Sequence, residues 1–345
     1  MPIAGKSGRV LVTGANGFVG TALWEALAGN GIATRLAVRN AQACDAVQRR
    51  IGTMEGDLGA ETAKIEVVRV GDLSANTDWQ AALAGVDVIV HLAGRAHVFR
   101  EHAADPLAAY RSVNVEGTKR LAEAAVAQKV RRLIYVSSVK VNGERTLERA
   151  FDEHDLSQPE DAYGISKWEA ELALWDLASR KPMEMVVLRP TLIYGPGVKG
   201  NFYALMRAIA RGIPLPIASV KNRRSLLYVG NFVDAILRSI GHPAAAGKTY
   251  LVADDEGMSS PDLARHVGSA LGHPARLLAF PPRLLSLGAA ALGKTAAMAR
   301  LLGSLQVDNC KIRRELSWEP STNIEQGLAA TAKWYRQQSS LHGSE

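Results

Sequence analysis

The chain has 345 residues, 47% hydrophobic and 22% charged, which is ordinary for a globular protein and long enough for one large or two modest domains. Its 41 Lys plus Arg against 34 Asp plus Glu leave a net charge of +7. No dense basic block and no basic stripe interleaved with aromatics accompanies that charge, which argues against a nucleic-acid partner and suits small anions such as nucleotides.

Residues 1–8 run straight into the first strand pattern, with no leader-peptide features. That strand, Val10-Leu11-Val12-Thr13, breaks at Gly14-Ala15-Asn16-Gly17-Phe18-Val19-Gly20 and leads into residues 21–27, whose apolar positions recur at helical spacing. Gly14 permits a tight turn, Gly17 lets the backbone approach a pyrophosphate, and Gly20 lets the helix pack on the strand. The helix N-terminus then offers free N–H groups and a positive dipole end to the anion.

Strands are predicted over 34–38, 66–70, 86–92, 132–136 and 183–188. Residues 40–61 read as helix or loop, and 107–128 and 160–179 as helices. This alternation predicts an α/β fold, a doubly wound parallel sheet with ligands at the carboxyl ends of its strands. After Pro190 the texture changes to loops rich in Gly and Pro and to short helices, over 202–211, 231–239, 260–271 and 324–335. Strands over 225–229 and 248–252 either return to the main sheet or form a small one. The apolar stretch 284–302 is broken by Gly288, Gly293, Lys294 and Arg300, so it reads as packed helix and not a membrane span, with contact to a membrane surface left open. Residues 337–345 read as a frayed tail. Cys44 and Cys310 stand in no metal or redox spacing and read as reduced thiols of a cytoplasmic protein.

Arg39 lies 19 residues beyond Gly20, where an NAD-selective site usually carries an acidic residue for the ribose hydroxyls. An arginine there attracts the extra phosphate of NADP, so NADP(H) is expected over NAD(H); Asn40 on an NAD ribose is the alternative. Asp72, with Leu73, follows the third strand and suits either the adenine amino group or a turn. Tyr163 and Lys167, in Tyr163-Gly164-Ile165-Ser166-Lys167, stand at i and i+4 on one helical face. Phenols ionise near pH ~10, and the lysine ammonium with a positive nicotinamide is expected to bring Tyr163 towards working pH. Tyr163 then passes a proton to or from a sugar hydroxyl while Ser138, at the end of the fifth strand, orients the same oxygen.

These motifs together resemble the extended short-chain dehydrogenase/reductases of the nucleotide-sugar epimerase/dehydratase/reductase group. The likeness runs from Arg9 to about Tyr335 and rests on the glycine turn, Gly71-Asp72-Leu73, His91-Leu92-Ala93-Gly94, Asn114-Val115-Glu116-Gly117-Thr118, Val136-Ser137-Ser138, Tyr163–Lys167, Leu188-Arg189-Pro190 and Tyr194-Gly195-Pro196. The 25-residue spacing of Ser138 and Tyr163 matches the 4-epimerase members. The resemblance implies a Rossmann-like domain over 1–189, joined by part of 225–257, and a smaller, mostly helical substrate domain over 190–224 and 258–340. It implies that Gly14, Asn16, Gly17, Phe18, Val19 and Gly20 surround the pyrophosphate. Leu92, Ala93 and Gly94, with Pro190, would line the ribose and nicotinamide path, and Asn114 would support it. Ser138, Tyr163 and Lys167 would be catalytic, Lys167 also holding the cofactor. Asn201 and Arg224 would bind the substrate diphosphate, with Arg300 a further basic candidate. A homodimer through the helices of 107–128 and 160–179 is also implied.

Departures narrow the reaction. The 4,6-dehydratases carry Asp-Glu after the Ser/Thr position, and here Val139-Lys140 follows, which argues against dehydration. The Ser138-Val139-Lys140-Val141-Asn142-Gly143 run, with Arg95-Ala96-His97-Val98, resembles a bacterial subgroup acting on surface-polysaccharide sugars. Lys140 reads as an exposed strand-end residue ahead of a substrate contact, and His97 as a cleft-wall residue ahead of a base, since Tyr163 fills that role. The resemblance thus implies reduction at C4 of a UDP-4-keto-6-deoxy-N-acetylhexosamine in O-antigen precursor synthesis. The alternative is a 4-epimerase using the same triad, and a non-catalytic dinucleotide sensor is the reading from another class.

Overall fold

Runs of β-branched residues become a seven-stranded, all-parallel sheet in the computed structural model, which describes residues 8–58, 64–96, 103–255, 257–282, 284–285 and 295–342. Its strands are β1 (Arg9–Thr13), β2 (Thr34–Val38), β3 (Ile65–Arg69), β4 (Val86–His91), β5 (Arg132–Val136), β6 (Glu184–Pro190) and β9 (Lys248–Val252), in the order β3-β2-β1-β4-β5-β6-β9. Strands β7 (Leu192–Tyr194) and β8 (Leu226–Tyr228) pair separately, so of the two late strand segments one extends the main sheet and the other does not.

The helices are α1 (Phe18–Gly29), α2 (Ala41–Leu58), α3 (Gln80–Leu83), α4 (Pro106–Arg111), α5 (Gly117–Ala127), α6 (Ala162–Arg180), α7 (Gly200–Ala210), α8 (Val229–Gly241), α9 (Ser260–Leu271), α10 (Thr295–Leu302), α11 (Cys310–Leu316) and α12 (Ile324–His342). The period of two along the strands sends Val10 and Val12 to one core with Trp24 and Leu27 of α1 and Phe232 of α8. Leu11 goes to a second core with Leu121 and Ala125 of α5 and Leu174 of α6. A third apolar cluster joins Phe202 and Met206 of α7, Val267 of α9 and Leu328 of α12.

Two arginines that sequence pattern did not single out hold the layers together. Arg132 is buried; its Nη1 donates to the carbonyls of Ser239, Ile240 and His242 at the end of α8, and its Nε to Glu184 at 2.6 Å. Arg35 does the same for the carbonyls of Ala81, Ala82 and Ala84 at the end of α3, with Glu66 as its counter-ion. Each puts a cation on unpaired carbonyls at the negative end of a helix dipole.

Two boundaries differ from the sequence reading. The predicted single helix over 107–128 is α4, a π-helical turn over Ser112–Glu116, and α5. The turn carries the buried Asn114, and at Gly117 an added Cβ would lie 2.5 Å from Leu73, so helix and strand-end loop meet too closely there for any side chain. The expected frayed tail is helical as far as His342, the end of α12. Among the described residues no helix is long and apolar enough to cross a membrane, and no group of His, Cys, Asp and Glu could hold a metal ion.

Candidate active site

The strand order reverses between β1 and β4, and the crevice at their carboxyl ends is where such sheets take ligands. Gly14 occupies a left-handed conformation (φ +68°) and leaves no room for a side chain: its Cβ would lie 2.9 Å from the Ala93 nitrogen. A Cβ on Gly20 would come within 2.2 Å of the Gly14 carbonyl oxygen. The turn and the Leu92-Ala93-Gly94 end of β4 are therefore one close-packed cradle. Gly17 is the N-cap of α1 with no side-chain cap, and the first turn of the helix carries no acidic residue. Those free N–H groups, reached only over glycine backbone and flanked by Asn16, Phe18 and Val19, fit a dinucleotide pyrophosphate. The Phe18 ring side faces the second-half loop, since a Cβ on Gly197 would be 3.3 Å from it.

A buried polar relay that sequence reasoning missed holds the cradle shut. The Thr13 hydroxyl accepts the N–H groups of Leu92 and Ala93 at 3.2 and 3.1 Å and lies 2.7 Å from His91 Nδ1. Already accepting twice, it donates to Nδ1, which assigns the Nε2–H tautomer and a donation from His91 to Thr118 at 2.9 Å. Burial, with Lys167 nearby, pushes the His91 pKa down to about 3, so the ring is neutral. The strand-ending Thr13 and His91 were the available signal.

Asn114 ties this crevice to α6. Its Oδ1 accepts the Arg95 N–H at 2.7 Å, and its Nδ2 donates to the Arg95 carbonyl and to Ser166 Oγ at 3.1 and 2.9 Å. Ser166 in turn donates to the Tyr163 carbonyl at 2.8 Å. A Cβ on Gly94 would meet Asn114 Oδ1 at 2.9 Å, which explains the glycine.

Ser138, Tyr163 and Lys167 come together. Asp161 caps α6 by accepting the Gly164 N–H at 2.7 Å, which sets Tyr163 in the first turn and Lys167 one turn on. Burial, then the Asp161 and Tyr110 neighbours, push the Tyr163 phenol up to about 12, while the Ser138 side chain hydrogen-bonded to it pulls the other way. Ser138 accepts the Lys140 N–H at 3.3 Å, leaving its own proton free to donate. Lys167 is pushed down to about 7 by burial, against the upward pull of Glu171, and its Nζ lies 4.0 Å from the Tyr135 ring centre. Desolvation is the largest influence on both groups, so Lys167 alone does not bring Tyr163 towards neutrality.

Behind the triad, Arg189 donates to Glu171 from Nε and Nη2, the latter at 2.6 Å, and to Asn142 Oδ1 at 3.0 Å. The pair is closed from solvent, with the side chains 6% and 0% exposed. Pro190 follows it at the end of β6, in register with Val252. Lys140 is not the exposed residue expected: its Nζ bonds Glu144 at 2.6 Å and also Asp161, the cap of α6. Burial raises Asp161, but the bonds from Lys140 and the Gly164 N–H outweigh it and hold the carboxyl below its usual range.

The remaining predicted residues belong to other segments of the chain. Asn201 is exposed in the first turn of α7. Arg224 pairs its backbone with Met258 and donates from Nη1 to the Gly303 carbonyl at 3.0 Å. Arg300 sits on α10, its side chain outside the described residues, as is His97. Asn40 accepts the Ala43 N–H at 2.9 Å and so begins α2.

A profile of the NAD dependent epimerase/dehydratase family matches residues 10–253. The chain is 40% identical over 330 residues to a UDP-glucose 4-epimerase of Vibrio cholerae, covering 95% of each. It is 31% identical to an N-acetyl-alpha-D-glucosaminyl-diphospho-ditrans,octacis-undecaprenol 4-epimerase of Escherichia coli O157:H7, over 80% of this chain and 77% of that one. In fold it is similar to the UDP-glucuronic acid 4-epimerase of Bacillus cereus solved with NAD, with TM-score 0.76 at 22% identity over 95% of this chain and 96% of that one.

The NADP preference expected from Arg39 is overturned: the matching family is NAD dependent, and the Bacillus cereus neighbour holds NAD. Arg39 Nε lies 3.5 Å from Asp72 Oδ1 with both side chains largely exposed, so solvent and the neighbouring carboxylate weaken its pull on an extra phosphate. The chain belongs to the NAD dependent epimerase/dehydratase family.

Proposed function

We propose that the chain is an NAD-dependent 4-epimerase of a UDP-sugar. The observation that carries this reading is Ser138 hydrogen-bonded to Tyr163, with Lys167 one helical turn on, beside the glycine cradle. The Vibrio cholerae relative, matched over nearly its whole length, supports epimerisation ahead of the ketoreductase reading. An NAD held by the glycine cradle would supply the hydride acceptor and donor for C4 of the sugar, with return of the hydride to the opposite face giving the epimer. Tyr163 takes the C4 hydroxyl proton as the ketone forms and gives it back afterwards, and Ser138 holds the same oxygen. The buried phenol ionises only when positive charge faces it, which the Lys167 ammonium and the oxidised nicotinamide provide together. Asn201 and Arg224 are assigned to the sugar-linked diphosphate, and α4 to α6 to a dimer contact.

The test is incubation of the chain and NAD with UDP-glucose and with UDP-N-acetylglucosamine, followed by chromatography of the sugars and by nicotinamide absorbance. Interconversion with the galacto epimer and no net NADH change is expected. Multiple-turnover oxidation of NADH by UDP-4-keto-6-deoxy-N-acetylglucosamine, without interconversion, would move the assignment to a 4-ketoreductase. Dinucleotide binding with no turnover of either kind would leave only a sensor.

A further inference from the structure

Charge is distributed very unevenly along this chain. Residues 185–233 and 263–307 contain no Asp or Glu and carry 12 Lys plus Arg. The other residues, with 29 Lys plus Arg against 34 Asp plus Glu, are net −5, so the whole positive balance of the protein resides in two segments.

The fold joins these two segments edge to edge. Leu215 and Leu277 form a parallel bridge; the Leu215 N–H donates to the Arg276 carbonyl at 2.8 Å and the Leu278 N–H to the Leu215 carbonyl at 2.9 Å. Around this seam four large apolar side chains face solvent: Ile213 is 47% exposed, Leu278 54%, Phe280 40% and Leu284 51%. Arg211 and Arg276 flank them, both exposed and without an ion-pair partner among the described residues; Arg276 passes within 3.8 Å of where a Gly212 side chain would begin. Leu147 and Leu156, the most exposed leucines among the described residues, lie in a stretch containing Glu144, Glu148, Asp152, Glu153 and Asp155, and Leu172 is flanked by Glu169, Glu171 and Asp176; Leu192 stands by itself in an acid-free segment, whereas the seam gathers four such side chains. The seam begins at the C-terminal end of α7, about ten residues and hence ~15 Å along the axis from Asn201. A diphosphate held at Asn201 does not account for it.

We propose that this seam is a docking face for an anionic lipid bilayer. Exposed aliphatic and aromatic groups flanked by Arg211 and Arg276, on two segments that contain no Asp or Glu, have the chemistry of interfacial binding: apolar tips enter the headgroup boundary while arginines meet lipid phosphates. The proposal does not depend on which C4 reaction the crevice performs.

Flotation of the full chain with vesicles tests it. Binding to phosphatidylcholine vesicles containing one-third phosphatidylglycerol is expected, with none to phosphatidylcholine alone and with release at about 0.5 M salt. Arg211→Ser with Arg276→Ser is expected to weaken binding about 30-fold, roughly fivefold per cation. Leu278→Ser with Phe280→Ser is expected to weaken it at least about tenfold. Both variants should keep the parent's melting curve and epimerase turnover, since all four side chains are exposed and outside the crevice. Equal binding to neutral and anionic vesicles, or variants that bind like the parent, would overturn the proposal. So would a parent that self-associates in light scattering and becomes monomeric on Leu278→Ser with Phe280→Ser, since the face would then be covered by a second copy.

Discussion

Arg189 and Arg39 both stand at the carboxyl end of a parallel strand, each beside a carboxylate, and there the likeness ends. Arg189 meets Glu171 through several hydrogen bonds in a place closed from water, with Asn142 taking a further donor. Arg39 and Asp72 meet at 3.5 Å with side chains 68% and 85% exposed. In the first place the low dielectric makes every charge count, and Glu171 acts on Lys167 and through it on the proton chemistry of Tyr163. In the second, water and salt screen the pair, so the cation's sign says little about the cofactor. The same residue types at similar sheet positions therefore carry different amounts of information, and burial decides how much.

The contrast can be broken hardest at the buried end. Tyr163→Phe keeps the ring and removes the proton carrier; turnover is expected to fall by about 10²–10⁴, with NAD binding retained, as read by single-turnover hydride transfer and by fluorescence titration. A variant within tenfold of the parent would remove Tyr163 from the chemistry. Glu171→Gln leaves a buried guanidinium without its counter-ion and should cost about 3–5 kcal/mol in denaturant unfolding. It should also move the Lys167 limb of the pH–rate profile to lower pH, because the upward pull of Glu171 is lost. The double variant Glu171→Leu, Arg189→Met should be far milder in stability while keeping the shifted profile.

The His91 relay offers an effect that is pH-dependent and small at neutral pH. His91 is lowered in the fold relative to about 6.5 unfolded, so between pH 6.5 and 3 the unfolded chain binds more protons. Stability contributed by the neutral ring is whole above pH 6.5 and is lost as pH falls, by about 1.4 kcal/mol per unit. Chemical denaturation across that window measures it, and His91→Gln should flatten the slope. Smallest of all, Arg39→Ala should change stability by less than about 1 kcal/mol and leave NAD preferred over NADP in binding titrations. A swing to NADP, or a loss of several kcal/mol, would erase the contrast between the two arginines.

Much of this could be read before any coordinates. Alternating apolar runs and helical periods in residues 10–188 dictate a parallel sheet with helices on both faces, because period two and period 3.6 are properties of the backbone. The glycines of the turn are legible because a cradle that a Cβ would fill accepts nothing else, and Tyr163 and Lys167 share a face because four residues make about one turn. Local spacing and local sterics suffice for all of these.

Other features depend on what the fold brings from far along the chain, and no window of sequence contains them. His91 is neutral because Thr13 and Thr118 close around it from separate elements. Lys140 is engaged because Asp161, 21 residues on, turns back to cap its helix beside it. Lys167 and Tyr163 depart from solution behaviour through desolvation, which is a property of packing and not of neighbours in sequence. The acid-free segments are plain in the sequence as two separate stretches, but only the bridge at Leu215 and Leu277 makes them one surface. Sequence alone determined the backbone periods, the glycine turn and the identity of the reactive side chains; tertiary structure decided which of those side chains lose water, and therefore which of their charges matter.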